Sequence, residues 1–112
     1  MCNLYSHTTN RQAVIRLFRV AENRAAHTEP KDAIFPGHTA PVVRFAEDGE
    51  RELVNLSWGF VLPQKGKAPR RVTNTRDDNA RSSAFWRDSF DKRRCLVPVT
   101  SFAEPKEITP AT

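Results

Sequence analysis

The chain has little of what metalloproteins, secreted disulfide scaffolds and membrane proteins are built from. Its two cysteines, Cys2 and Cys95, form no CxxC or comparable ligand spacing, and its three histidines, His7, His27 and His38, are scattered. No metal and no other cofactor is therefore expected. No apolar run approaches the ~18 residues of a membrane span, and the N-terminus lacks the apolar stretch of a secretory signal. The expectation is a cytoplasmic protein with no membrane partner and with both thiols reduced. Leu, Ile, Val and Phe supply only 25 of the 112 residues, little above the level at which chains cease to fold, so the core must be small. There is no internal repeat or low-complexity segment, and the length corresponds to one domain, taken here to be a monomer.

What the chain does have is positive charge, unevenly placed. The net charge is +5, yet Gln64 to Arg94 alone carries ten basic and four acidic residues, so the remainder is close to neutral. Arginine outnumbers lysine 13 to 5, which suits bidentate phosphate recognition because guanidinium presents a planar fork of donors. A polyanion partner, nucleic acid first, competes with the plainer reading of a solvated charged face.

The pattern of apolar residues argues for α+β. Thr9 or Asn10 caps a predicted helix to about Arg24, with Val14, Leu17, Phe18 and Ala21 as its core stripe. Pro30 to Pro41 reads as an irregular connection. Val42 to Ala46 and Leu53 to Leu62 read as strands around the turn Glu47-Asp48-Gly49-Glu50. A basic loop, Gln64 to Arg71, leads to a short strand Val72 to Asn74 and a polar stretch. A second helix follows, capped by Ser82 or Ser83, with Phe85, Trp86 and Phe90 on one face. Cys95 to Val99 is the last strand candidate, Cys95 reading as a small buried residue. Ser101 to Glu104 follows it, and then a tail, Pro105 to Thr112, whose one aliphatic residue is Ile108.

The start, Met1-Cys2, allows particular chemistry. Removing Met1 leaves a thiol and a free α-amine on one residue. In an unstructured peptide such groups titrate at about 8.5 and about 8, so both nucleophiles are accessible near neutral pH. A 1,2-aminothiol condenses with an aldehyde to an imine, and the thiol closes on the imine carbon to give a thiazolidine. An internal cysteine cannot do this. Such a site needs a proton shuttle and a polar residue to hold the substrate. Glu104 is a candidate for the first, since a strand through Phe102 would deliver a partly desolvated carboxyl to a sheet end; an exposed strand-end glutamate is the alternative. Asn74 is a candidate for the second, with a turn asparagine as the alternative. Arg76 could share a strand face with Asn74 and bind a phosphate.

Five segments in order resemble the SRAP family (SOS response-associated peptidase): Met1-Cys2-Asn3-Leu4-Tyr5, Ser57-Trp58-Gly59-Phe60 ending at Pro63, Val72-Thr73-Asn74-Thr75-Arg76, Arg94-Cys95-Leu96-Val97-Pro98, and Ser101-Phe102-Ala103-Glu104. The resemblance implies a mixed or antiparallel, barrel-like sheet flanked by helices. It also implies a protein that recognises abasic sites in single-stranded DNA, whose ring-opened sugar is an aldehyde, and that cross-links to them through a thiazolidine at the mature N-terminal cysteine. Cys2 then falls on the nucleophile, Glu104 on the proton-moving glutamate, Asn74 on the asparagine that orients the N-terminal residue, and Arg76 on a phosphate-binding arginine. Trp58 falls beside the DNA groove, where it could stack on a base or simply fill the core; Arg70 and Arg71 belong to the basic segment along which the strand would run.

The chain also departs from the family pattern. Leu4 stands where some members carry arginine. Asn79-Ala80-Arg81 offers a second asparagine-arginine triplet beside Asn74-Thr75-Arg76. Family members continue past the glutamate segment to a histidine in a late motif that none of His7, His27 or His38 matches, so residues 1–112 read as a single domain that is the N-terminal portion of a longer one. A thiol autopeptidase acting on peptide bonds, and a non-catalytic single-strand binder, are the competing functions. The implied location is the cytoplasm, on the nucleoid when DNA is bound.

Overall fold

The computed structural model describes residues 2–25 and 30–104; His27 and the tail from Pro105 onward lie outside them. The described residues form, in order, β1 Tyr5–His7, α1 Arg11–Leu17, β2 Glu22–Asn23, β3 Lys31–Ile34, β4 Thr39–Phe45, β5 Arg51–Ser57, β6 Phe60–Gln64, β7 Lys67–Val72, α2 Asp77–Ser82, α3 Ala84–Lys92 and β8 Ser101–Phe102. The class is α+β, as the apolar pattern indicates. The described strands form three separate sheets, β3-β1-β8, β2-β5-β4 and β6-β7, and these do not close into the expected barrel.

Helix α1 begins where the sequence placed it and ends earlier. The Asn10 side chain, not that of Thr9, accepts the Ala13 N–H at 2.8 Å, satisfying one of the donors a helix start leaves open. The helix stops at Leu17 because the chain turns at Arg19, whose φ of +52° is left-handed, and Ala21 then donates its N–H to the Arg51 carbonyl beside β5. Of the predicted stripe, Val14 is buried while Leu17 is exposed. With the helix cut short, Leu17 falls in its last turn, away from the sheet.

The hairpin around Asp48-Gly49 forms as predicted, with β4 and β5 in register from Thr39↔Ser57 to Phe45↔Arg51. The expected long strand to Leu62 breaks at Gly59, whose φ is +112°, and Phe60 starts a new hairpin. There β6 pairs with β7 around Gly66, so the segment read as a basic loop is a strand and the predicted strand to Asn74 ends at Val72. The polar stretch after it contains α2, which no apolar periodicity announces. Leu96 makes one bridge to Val43 in place of a strand over Cys95 to Val99, and Cys95 is exposed rather than buried.

Two small clusters hold the described chain together. Val14, Ala25, Val43 and Leu53 pack α1 onto the β2-β5-β4 sheet, and Tyr5, Ile34 and Ala40 pack the β3-β1-β8 sheet. Glu52, buried on β5, ties the first sheet across its strands, with the Arg44 Nε at 2.8 Å and the Arg24 Nε at 3.0 Å. Two guanidinium partners are what make a buried carboxylate tolerable.

Candidate active site at the N-terminal segment

β8 is the element that assembles the site. Only two residues long, it pairs antiparallel with β1 as Tyr5↔Phe102 and Ser6↔Ser101. Backbone hydrogen bonds extend the pairing on both sides: Thr100 N–H donates to the Ser6 carbonyl at 2.7 Å and Ala103 N–H to the Leu4 carbonyl at 3.0 Å. The second of these sets residues 2–4 alongside Ala103 and Glu104, so that residues about a hundred positions apart run next to each other. Glu104 lies two residues past the strand, at the sheet end, as expected. It is exposed there rather than partly buried.

Cys2 is half-buried, and its thiol points back toward the Leu4 carbonyl at 3.6 Å. Its own carbonyl accepts a hydrogen bond from Asn74 Nδ2 at 3.1 Å, across 72 residues of sequence. The same Nδ2 donates to Thr73 Oγ1 at 3.0 Å, so both amide protons have acceptors and the side chain is fixed. The loop between β7 and α2 carries Asn74 to this point. Of the two asparagine-arginine triplets, only the first reaches the N-terminal segment; Asn79 is exposed on α2. Arg76 occupies the position before α2, its side chain 82% exposed and 3.6 Å from Asp78. The backbone there is not a strand, so Arg76 and Asn74 share no strand face.

Trp58 is half-buried, its ring 5.3 Å from that of Tyr5 and tilted by 56°, packed on the Tyr5, Ile34 and Ala40 cluster. It thus joins the core to the strand that follows Cys2. Arg70 and Arg71 leave the β6-β7 hairpin on opposite faces, because cross-strand partners and alternate residues share a face and the pairs are Leu62↔Arg70 and Val61↔Arg71. Arg71 folds onto the Trp58-Gly59 turn and donates from Nη1 to the Trp58 carbonyl at 3.0 Å. Arg70 shares its face with Phe60.

Tyr5 is the residue whose part the sequence did not signal. Burial, reinforced by the nearby Cys2 and Cys95 thiols, pushes its hydroxyl above the ordinary tyrosine value. Burial also raises the Cys95 thiol, partly offset by Arg44, although the residue as a whole is exposed. Alternating apolar positions in so short a strand say nothing about which ionisable groups converge on it. His7 is buried on β1 and His38 Nδ1 accepts the Phe35 N–H at 3.2 Å. Among the described residues no group of three or more His, Cys, Asp or Glu could hold a metal. No described helix is long and apolar enough to cross a membrane.

A family model described as SOS response associated peptidase (SRAP) matches residues 1–111. No curated protein and no solved structure matches the chain.

Proposed function

Because this chain belongs to the SRAP family, whose role is associated with DNA damage, we propose that it captures abasic sites in single-stranded DNA as a covalent adduct on Cys2. The observation that carries the reading is the Asn74 Nδ2 hydrogen bond to the Cys2 carbonyl at 3.1 Å, next to the β1-β8 pairing that sets Glu104 beside the same segment. Asn74 acts on the residue that would react, holding its backbone while leaving the amine and thiol to the substrate.

The reaction needs Met1 removed first, since its peptide bond would occupy the Cys2 nitrogen. The freed amine then attacks the aldehyde carbon of the open sugar. The carbinolamine loses water to an imine, and the Cys2 sulfur adds to the imine carbon while the thiol proton passes to nitrogen, closing the thiazolidine. One water leaves per adduct and nothing is oxidised or reduced. Glu104, exposed at the sheet end, takes protons from and returns them to the sugar and the amine in this reading. Arg76 and Arg70 carry phosphate contacts from exposed positions. Arg71, from β7, steadies the Trp58-Gly59 turn beside Tyr5, and both Arg71 and Trp58 meet DNA in this reading.

The test is to incubate Met1-processed protein, verified by intact mass, with a single-stranded oligonucleotide bearing one abasic site. The expected product has the summed mass less one water, and it is absent with Cys2→Ala. Asn74→Asp keeps the shape and loses the donor; losing a hydrogen bond of ~0.5–1.5 kcal/mol slows adduct formation up to about tenfold. No adduct from the Met1-free protein would end the proposal. Peptide cleavage without DNA would move the same nucleophile to autoproteolysis.

A further inference from the structure

The basic segment carries a second feature that the Cys2 site does not use. Phe60 on β6 and Phe85 and Trp86 on α3 form an aromatic cluster, with ring centroids 4.6 Å apart for Phe60 and Trp86, 4.9 Å for Phe85 and Trp86 and 6.1 Å for Phe60 and Phe85. Phe60 remains 43% exposed. Phe90 follows Trp86 by four residues and so lies on the same side of α3. Two guanidinium groups sit over its ring, that of Arg81 from α2 at 5.4 Å and that of Arg94 beyond α3 at 5.0 Å, which keeps the two charges within about 10 Å of each other. Arg70 emerges on the Phe60 face of the hairpin.

Asp88 points its carboxylate to Lys92 and Arg93, and Arg81 and Arg94 turn their guanidinium groups to the Phe90 ring. Bringing two cations together over one ring costs Coulomb energy that an anion between them would return. An exposed ring, Phe60, beside the half-buried rings of Trp86 and Phe90, all bordered by arginines, is the kind of surface single-stranded nucleic acid binds, bases on the rings and phosphates on the guanidinium groups. We propose that Phe60, Trp86 and Phe90, with Arg81 and Arg94, form a stacking and phosphate-binding surface for the nucleotides flanking the lesion. This deepens the single-strand reading of the previous section and rests on it. The patch borders the Cys2 site through Trp58, which touches Tyr5 on one side and is followed by Gly59 and Phe60 on the other.

The test is equilibrium binding of an undamaged fluorescent oligo-dT by the full chain across a salt series. Each phosphate contact on a single strand contributes ~0.7 to the slope of log affinity against log salt, so Arg81→Gln with Arg94→Gln lowers the slope by about 1.4 and weakens binding at least tenfold. Arg81→Lys with Arg94→Lys retains the charge and most of the slope, which separates phosphate contact from loss of folding. Trp86→Phe removes a fluorescence quench that oligo-dT causes in the wild type. An unchanged slope in the glutamine variant, or loss of slope in the lysine variant equal to that in the glutamine variant, overturns the proposal. So does a patch whose variants change self-association in the ultracentrifuge while leaving the DNA slope intact. Failure of the Cys2 reading shows separately, as absence of adduct in the wild type.

Discussion

Replacing Gly59 by alanine tests the join between the core and the basic hairpin. At φ +112° an L-residue is strained by ~1–3 kcal/mol. A Cβ there would also lie 2.8 Å from Arg71 Cγ and 3.0 Å from its Cδ, contacts that the middle of a side chain relieves only by moving. Moving it breaks the Nη1 bond to the Trp58 carbonyl, worth ~0.5–1.5 kcal/mol. The total is about 2–4 kcal/mol, or roughly 8–32 °C in Tm at ~4–8 °C per kcal/mol for a chain of this size. Arg71→Ala alone should cost about 1 kcal/mol. The double variant should then cost about 1 kcal/mol less than the sum, because the hydrogen bond is lost only once and the crowding disappears. Urea unfolding of the four proteins gives the cycle. Gly59→Ala within 0.5 kcal/mol of wild type, or two additive losses, would refute the account of Arg71 as a strut under the Trp58 turn.

Two further outcomes follow from the same contacts. Asn10→Ala removes the cap on Ala13 N–H and should lower stability by ~1 kcal/mol in thermal melts, whereas Thr9→Ala should leave α1 capped. The raised Tyr5 hydroxyl makes the protein sensitive to alkali: above about pH 10 the unfolded phenol ionises while the folded one stays protonated, so the unfolded state binds fewer protons and stability falls as pH rises. The stability is whole below the unfolded value and is lost as pH climbs through the folded one. Cys95, also raised, begins the decline from about pH 9. Urea midpoints from pH 7 to 11 should show the fall, and Tyr5→Phe should remove its upper part; a parallel fall in that variant would contradict the assignment.

Local chemistry made much of the fold legible. Asp48-Gly49 between two apolar runs specifies the β4-β5 hairpin because the turn and the flanking pattern agree. A helix cap at Thr9 or Asn10 and the α3 aromatics are readable for the same reason. The errors fall where a neighbour decides. Pro69 and four basic residues make Gln64 to Arg71 look like a loop, yet Gly66 turns the chain and β6 pairs with it. Leu17 fits a helical stripe, but the left-handed turn at Arg19 ends the helix under it. Cys95 sits in an apolar run that only one bridge holds to the sheet, so it stays at the surface.

By itself the sequence determined the α+β class, the concentration of positive charge between Gln64 and Arg94, and an aminothiol-forming residue at position 2 with Asn74 and Glu104 as candidate companions. Those follow from composition, periodicity and the order of short segments. The tertiary structure decided which candidates meet: Asn74 rather than Asn79 at the Cys2 carbonyl, Glu104 at an exposed sheet end, and Arg70 and Arg71 on opposite sides of one hairpin. The reason is physical. A hydrogen bond across 72 residues and a two-residue strand at the far end of the chain depend on where other segments lie, and no local preference encodes that position.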